Sequence, residues 1–275
     1  MTLRTTCPYC GVGCGMLVTP DGTGGLTVKG DPAHPANQGR LCSKGLALGE
    51  TLGLDGRLLA PQVNGADTDW DTALDLVAGR FRDAIDRHGP DSVAFYVSGQ
   101  LLTEDYYVAN KLMKGFIGSA NIDTNSRLCM ASTVAGHRRA FGTDTVPGTY
   151  EDLDQADLVV LVGSNLAWCH PVLYQRLMAA RAARGTRIVV IDPRRTATCD
   201  GADLHLALAP GSDVALFNGL LAAIVGAGAV DTGYVAAHVD GFHDALDAAK
   251  GAETARITGL SEAELAAFFL SLIHI

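Results

Sequence analysis

Apolar residues recur along most of this chain with the spacing of packed helices and strands. Trp70, Ala73, Leu74, Val77, Phe81, Ala84 and Ile85 follow the i, i+3, i+4, i+7 rule of an amphipathic helix. Thr68 or Asp69 is placed to cap its start, and Gly89-Pro90 to stop it. Ser92–Ser98 (SVAFYVS) then predicts a buried strand. A second helix is predicted after Thr103, with Glu104 and Asp105 in its first turn and Val108, Leu112, Met113 and Phe116 on its apolar face. In the second half, Leu158–Val162 (LVVLV) is a continuous apolar run of strand length, and Arg187–Ile191 (RIVVI) is predicted as the next strand. Between them Pro171 suits the first position of a helix and Gly185 its end. Strand, helix and strand in that order predict a βαβ unit and a parallel sheet. Further helices are expected from Ser212 and from Ser261, the latter opened by a Ser-x-x-Glu capping box through Glu264.

Residues 1–57 break this pattern. They are rich in Gly, Pro and Cys, with short strand-like runs and a hairpin signal at Thr23-Gly24-Gly25. Such a segment has little core of its own and needs a staple. The expected organisation is a small cysteine-rich domain, 1–57, ahead of an α/β body, 58–275. The terminal run FFLSLIHI has no polar cap and reads as an interrupted chain. A net charge of −9 argues against nucleic acid or an anionic membrane as partner. No apolar run approaches the ~18–20 residues of a bilayer span. The opening MTLRTTCPYC has neither a basic-then-apolar segment nor a twin arginine, which predicts a cytoplasmic protein.

Four of the seven cysteines fall within the first 42 residues. Cys7, Cys10 and Cys14 form C-x2-C-x3-C and Cys42 follows, a pattern that in a reducing compartment reads as metal binding. Gly11, Gly13 and Gly15 let the chain wrap one centre and bring backbone N–H groups to sulfur. These features suit a [4Fe–4S] cluster. Structural zinc is the competing reading, although Cys42 lacks the paired partner of a zinc knuckle. Cys169 and Cys199 have no partners at ligand spacing and read as structural or incidental.

The stretches C-P-Y-C-G-V-G-C-G and G-R-L-C-S-K-G resemble the opening of the molybdopterin oxidoreductases of the dimethyl-sulfoxide-reductase superfamily, which includes nitrate reductases and formate dehydrogenases. The resemblance runs through residues 4–265. It implies a [4Fe–4S] cluster on Cys7, Cys10, Cys14 and Cys42, and a Lys44 that bridges cluster and pterin in electron transfer. It implies a Rossmann-like parallel-sheet body, incomplete at its C-terminus, that binds molybdenum bis(molybdopterin guanine dinucleotide). Cys129, read as lying in a loop that enters a helix at Ser132 or Thr133, is implied as the catalytic ligand of molybdenum. Gln100 and Asn125 match positions that contact the cofactor.

Ligands of open α/β sheets bind beyond the carboxyl ends of the strands. Those ends carry Gly163-Ser164-Asn165 and Asp192-Pro193-Arg194-Arg195, and no G-x-G-x-x-G follows LVVLV. Paired arginines suit a diphosphate. The resemblance assigns guanine-dinucleotide contact to Gly163, Ser164, Asn165, Asp192, Pro193, Arg194, Gly211, Ser212 and Asp213. G-S-N-L-A-W-C-H-P-V-L-Y-Q-R-L is similar to the assimilatory nitrate reductases, and Met130 stands where formate dehydrogenases place histidine. The resemblance therefore implies reduction of nitrate to nitrite by oxygen-atom transfer. Electrons would come from ferredoxin, flavodoxin or an NADH-linked subunit. Formate dehydrogenase is the second reading and a non-catalytic iron–sulfur electron-transfer subunit the third. The second pterin pocket and the residues that read nitrate are expected outside this chain.

Overall fold

The computed structural model of the chain describes residues 1–99, 101–251 and 253–273. The strands β1 (Leu3–Thr6), β2 (Gly15–Pro20) and β3 (Leu26–Gly30) come first. They are followed by α1 (Trp70–His88), β4 (Phe95–Val97), α2 (Thr103–Asn110), β5 (Ile122–Thr124) and α3 (Ala131–Phe141). The remainder contains α4 (Tyr150–Gln155), β6 (Leu158–Val162), α5 (Pro171–Arg184), β7 (Arg187–Ile191), β8 (Leu204–Leu206), α6 (Asp213–Gly226) and α7 (Glu262–Ile273). Shorter helical turns link them. The chain divides into two compact units, one made of 1–52 with 148–275 and the other of 53–147.

The first unit is built on a parallel sheet in the order β8-β7-β6. Residues 188–191 of the central strand β7 are buried on both faces, as their unbroken apolar run requires. Ile188 and Val190 pack with Val159, Leu161 and Leu177, while Val189 and Ile191 pack with Leu206, Leu216, Leu265 and Phe268. Each such side chain withdrawn from water contributes about 1.5–3 kcal/mol, so these two layers carry much of the unit's stability. Helix α5 opens on Pro171 and ends at the left-handed Gly185. At α7 the Ser261 N–H donates to Glu264 Oε2 (2.8 Å) and the Glu264 N–H to Ser261 Oγ (3.3 Å), which is the expected capping box.

Strands β1, β2 and β3 form an antiparallel sheet. The hairpin between β2 and β3 is held by Asp21, whose Oδ1 accepts from the N–H groups of Thr23 (2.8 Å) and Gly25 (3.0 Å). The core of this segment joins Cys7, Val12, Cys14, Met16, Val18 and Val28 with Val172 of α5. Residues 1–52 therefore pack with α5 in the first unit. The physical reason is that the segment covers its own apolar face only by leaning on α5.

In the second unit α1 is capped as predicted: Asp69 Oδ1 accepts from the Thr72 N–H at 2.8 Å, and the helix closes at Gly89. The chain leaves α2 as a π-helical stretch, Lys111–Ile117, that ends at left-handed Gly118. Strands β4 and β5 pair in parallel. A pair of three-residue strands cannot cover a long helix, and α1 buries none of its residues. Leu74, Val77, Phe81 and Ile85 line an open apolar groove with Leu112, Phe116 and Ile117. The expected buried strand 92–98 is reduced for the same reason to Phe95–Val97, with Tyr96 exposed. Among the described residues no helix is long and apolar enough to cross a membrane.

Candidate functional site

Cys7, Cys10, Cys14 and Cys42 line one small cavity, closed by Val12 and Leu41 and by Pro171 and Val172 from the first turn of α5. The Cys7 N–H donates to the Cys14 carbonyl (2.8 Å) and the Gly13 N–H to that of Cys10 (3.3 Å), so the segment folds back around the cavity. Gly13 makes this turn at φ = +66°, a conformation other residues adopt at a cost. Burial, joined by the charges of Cys7, Cys10 and Cys42, pushes the Cys14 thiol up to about 11. Four thiols pressed together in this way need a cationic centre before they can all ionise. Among the described residues no three His, Cys, Asp or Glu side chains group closely enough to share one metal ion. A donor set of four cysteines around one cavity suits a [4Fe–4S] cluster.

Two devices hold the cysteine loops. Buried Asn37 accepts from the Gly15 N–H at Oδ1 (2.8 Å) and donates through Nδ2 to the carbonyls of Gly15 (3.0 Å) and Arg40 (2.7 Å). Arg176, on α5, is only 1% exposed. It donates to the carbonyls of Pro35 and Ala36 (both 2.8 Å) and forms a two-pronged pair with Asp154 on α4 (3.1 and 2.5 Å). Its guanidinium lies 5.8 Å from the ring centre of Tyr150, whose hydroxyl reaches the carbonyls of Gly11 (3.2 Å) and Val12 (3.1 Å). Burial, then the charges of Cys10 and Cys14, raise the pKa of that phenol, so it stays a donor. Sequence reasoning missed Asn37, Arg176 and Tyr150. Lys44 is exposed in the helical turn Ser43–Leu46 that follows Cys42.

The predicted nucleotide residues collect at the carboxyl edge of the parallel sheet. The Gly163 N–H donates to the Ile191 carbonyl (2.8 Å) and the Asp192 N–H to that of Leu206 (3.1 Å), which brings the loops after β6, β7 and β8 level. Thr198 Oγ1 joins two of them, donating to Asn165 Oδ1 (3.1 Å) and accepting from the Ala167 N–H (3.1 Å). Several of the predicted contact residues are partly engaged in shaping this edge. Asp192 Oδ1 accepts from the Arg194 N–H (2.8 Å), and buried Ser212 donates to the Ala209 carbonyl (2.6 Å). Pro193, Arg194, Arg195 and Asp213 are exposed, and Ser164 is half-buried. Gly163 and Gly211 have positive φ, +58° and +80°, with open space where a Cβ would stand. Buried Thr196 Oγ1 has no hydrogen-bond partner here. A strand-end edge with the exposed Arg194 guanidinium, open glycine backbone and an orphaned hydroxyl fits a polar, anionic dinucleotide.

In the 53–147 unit, Asn125 and Cys129 follow β5. Asn125 Oδ1 accepts from Thr124 Oγ1 (3.1 Å) and lies against Gly99, where it would collide with any Cβ. The loops after β4 and β5 thus meet at their carboxyl ends. Gln100 lies outside the described residues. Cys129 is exposed and ends the helical turn Ser126–Cys129, and α3 begins at Ala131, a little before the predicted Ser132 or Thr133.

A family model described as molybdopterin oxidoreductase matches residues 57–260, and its Fe4S4 domain matches residues 1–52. The chain belongs to the molybdopterin oxidoreductase family. It is 59% identical to a nitrate reductase of Klebsiella oxytoca over 98% of its length and 31% of that protein. A nitrate reductase of Shewanella frigidimarina is 50% identical, over 97% of the chain and 30% of the relative. An F420-dependent formate dehydrogenase alpha subunit of Methanococcus maripaludis is 36% identical over 88% of the chain and 36% of its own length. The chain thus spans about a third of the length of these relatives. The solved structure of acetylene hydratase from Pelobacter acetylenicus shares the fold, with a TM-score of 0.84 over 97% of this chain and 38% of that one, at 24% identity.

Proposed function

We propose that this chain supplies the cluster-binding and leading cofactor-binding portion of an enzyme that reduces nitrate to nitrite. The observation that carries the reading is the 59% identity to a nitrate reductase across 98% of the chain, with Met130 after Cys129 in support. The overall change is uptake of two electrons and two protons by nitrate, giving nitrite and water.

Cys7, Cys10, Cys14 and Cys42 hold a [4Fe–4S] cluster, and Lys44, two residues after Cys42, lies in the path of electrons leaving it. Gly163, Ser164, Asn165, Asp192, Pro193, Arg194, Gly211, Ser212 and Asp213 form the groove for a guanine dinucleotide. In it Arg194 offers a planar guanidinium to diphosphate and the glycines offer bare backbone. Gln100 and Asn125 contact the same cofactor, and Cys129 is a soft thiolate ligand for molybdenum. When bound, that molybdenum cofactor supplies the two-electron oxygen-atom-transfer chemistry. The donor is a ferredoxin, a flavodoxin or an NADH-linked subunit, and the compartment is the cytoplasm.

The test is an assay of the whole protein with reduced viologen, following nitrite. Nitrite formation that disappears in Cys129→Ala with the cluster retained is the expected result. Formate oxidation without nitrate reduction would overturn the reading in favour of the formate dehydrogenase relatives.

A further inference from the structure

The cysteine loop is held from outside by a side chain remote in sequence. Tyr150 Oη lies 3.2 Å from the Gly11 carbonyl and 3.1 Å from the Val12 carbonyl, across more than 130 positions of chain. Both carbonyls belong to the C-G-V-G-C turn between Cys10 and Cys14. A trans peptide points its N–H opposite to its C=O. Fixing these two carbonyls toward Tyr150 therefore fixes the N–H groups of Val12 and Gly13 on the opposite side. The Gly13 N–H is used by the Cys10 carbonyl. Among the described residues the Val12 N–H has no protein acceptor, and Val12 itself lines the cavity of the four thiols.

Tyr150 is itself held in place. It opens α4, whose Thr149 cap is tied by its N–H to Asp152 Oδ2 (2.6 Å). Its ring meets the Arg176 guanidinium, which Asp154 and two carbonyls keep fixed. The phenol is thus a rigid donor rather than a surface hydroxyl that happens to find a carbonyl.

We infer that Tyr150 is a positioning residue for the cluster: by orienting the Gly11 and Val12 peptides it aims the Val12 N–H at a cluster sulfur and so raises the reduction potential. Hydrogen bonds to sulfur stabilise the extra negative charge of the reduced cluster, and they are one of the levers that set its potential. The inference rests on the reading of Cys7, Cys10, Cys14 and Cys42 as cluster ligands.

The test compares the cluster-loaded chain with its Tyr150→Phe variant, which keeps the ring, its burial and its contact with Arg176. Iron and sulfide analysis comes first, then a redox titration followed by the electron-spin resonance of the reduced cluster. The expected result is equal iron content and a lower potential. At a fixed applied potential near the midpoint, the ratio of reduced to oxidised cluster should fall about threefold to tenfold, tenfold being about 59 mV for one electron. A second readout is the set of exchangeable-proton couplings of the reduced cluster in heavy water, which should lose or weaken one component in the variant. Equal potentials and unchanged couplings in two fully loaded proteins would overturn the role of Tyr150 alone. An unsubstituted chain that takes up no iron would overturn the ligand reading and the inference together.

Discussion

Arg176 is the point at which the cysteine segment is tied to the sheet body, and its loss has a magnitude that the structure sets. Arg176→Met keeps the apolar stem but removes the hydrogen bonds to Asp154 and to the carbonyls of Pro35 and Ala36. A buried acceptor left without its donor costs about 1–3 kcal/mol, and Ala36 is buried. The side chain of Asp154 is 35% exposed, so water offsets part of its loss. Breaking a buried ion pair from one side costs ~3–5 kcal/mol, and the partial exposure of Asp154 places this case near 3. Urea unfolding of the cluster-loaded chain, followed by far-ultraviolet ellipticity and by cluster absorption, measures it. Both signals should shift, because the carbonyls that Arg176 holds lie in the loop leading to Cys42. Asp154→Asn should cost less, and the double variant should fall short of the sum of the two single losses. A change of under about 1 kcal/mol in Arg176→Met would refute the view that this arginine anchors the segment.

Two further outcomes follow from particular contacts. A Cβ on Gly30 would stand 2.1 Å from the Gly39 carbonyl oxygen. Gly30→Ala must therefore move backbone, and it should lose ~1–3 kcal/mol of stability together with part of the iron, measured by thermal unfolding and iron analysis. Asp203 is held below the usual carboxylate range, first by its hydrogen bonds to Arg181 and then by the Ile188 N–H. Its contribution to stability is thus fully present above the unfolded value of about 4 and is lost as pH falls through the lower folded value. Asp203→Asn should be less stable than the parent at neutral pH, with the gap narrowing in acid denaturation below about pH 4.

The strand–helix–strand unit could be read from sequence because its signals are local. LVVLV is apolar throughout and RIVVI is so after Arg187, as strands packed against helices require, and Pro171 and Gly185 mark the ends of α5 where they stand. The capping box at Ser261 is likewise contained within four residues. The short strand β8 went unpredicted, since three residues carry too little pattern to stand out. Arg176 was hidden for another reason. It shares one helix with Arg181 and Arg184, and only the approach of residues 35 and 36 selects it for burial. The cysteine spacing announced a metal centre, but neither Tyr150 nor Asn37 carries any motif. Their roles exist only after the chain has closed on itself. The amphipathic pattern of α1 was real, yet pattern alone does not say what covers the apolar side.

Pro171 and Val172 wall the cysteine cavity, and Gly163 to Asn165 form the loop at the end of β6. Nine residue steps join Gly163 to Val172, and even a fully extended chain would span only about 30 Å over them. The helical turn Leu166–Cys169 and the start of α5 shorten that reach. A single unbroken stretch of backbone thus acts as a ruler between the sulfur-lined cavity and the strand-end groove. Whatever the two hold, the gap between them is graduated by covalent geometry, and inserting a residue into 163–172 would reset it.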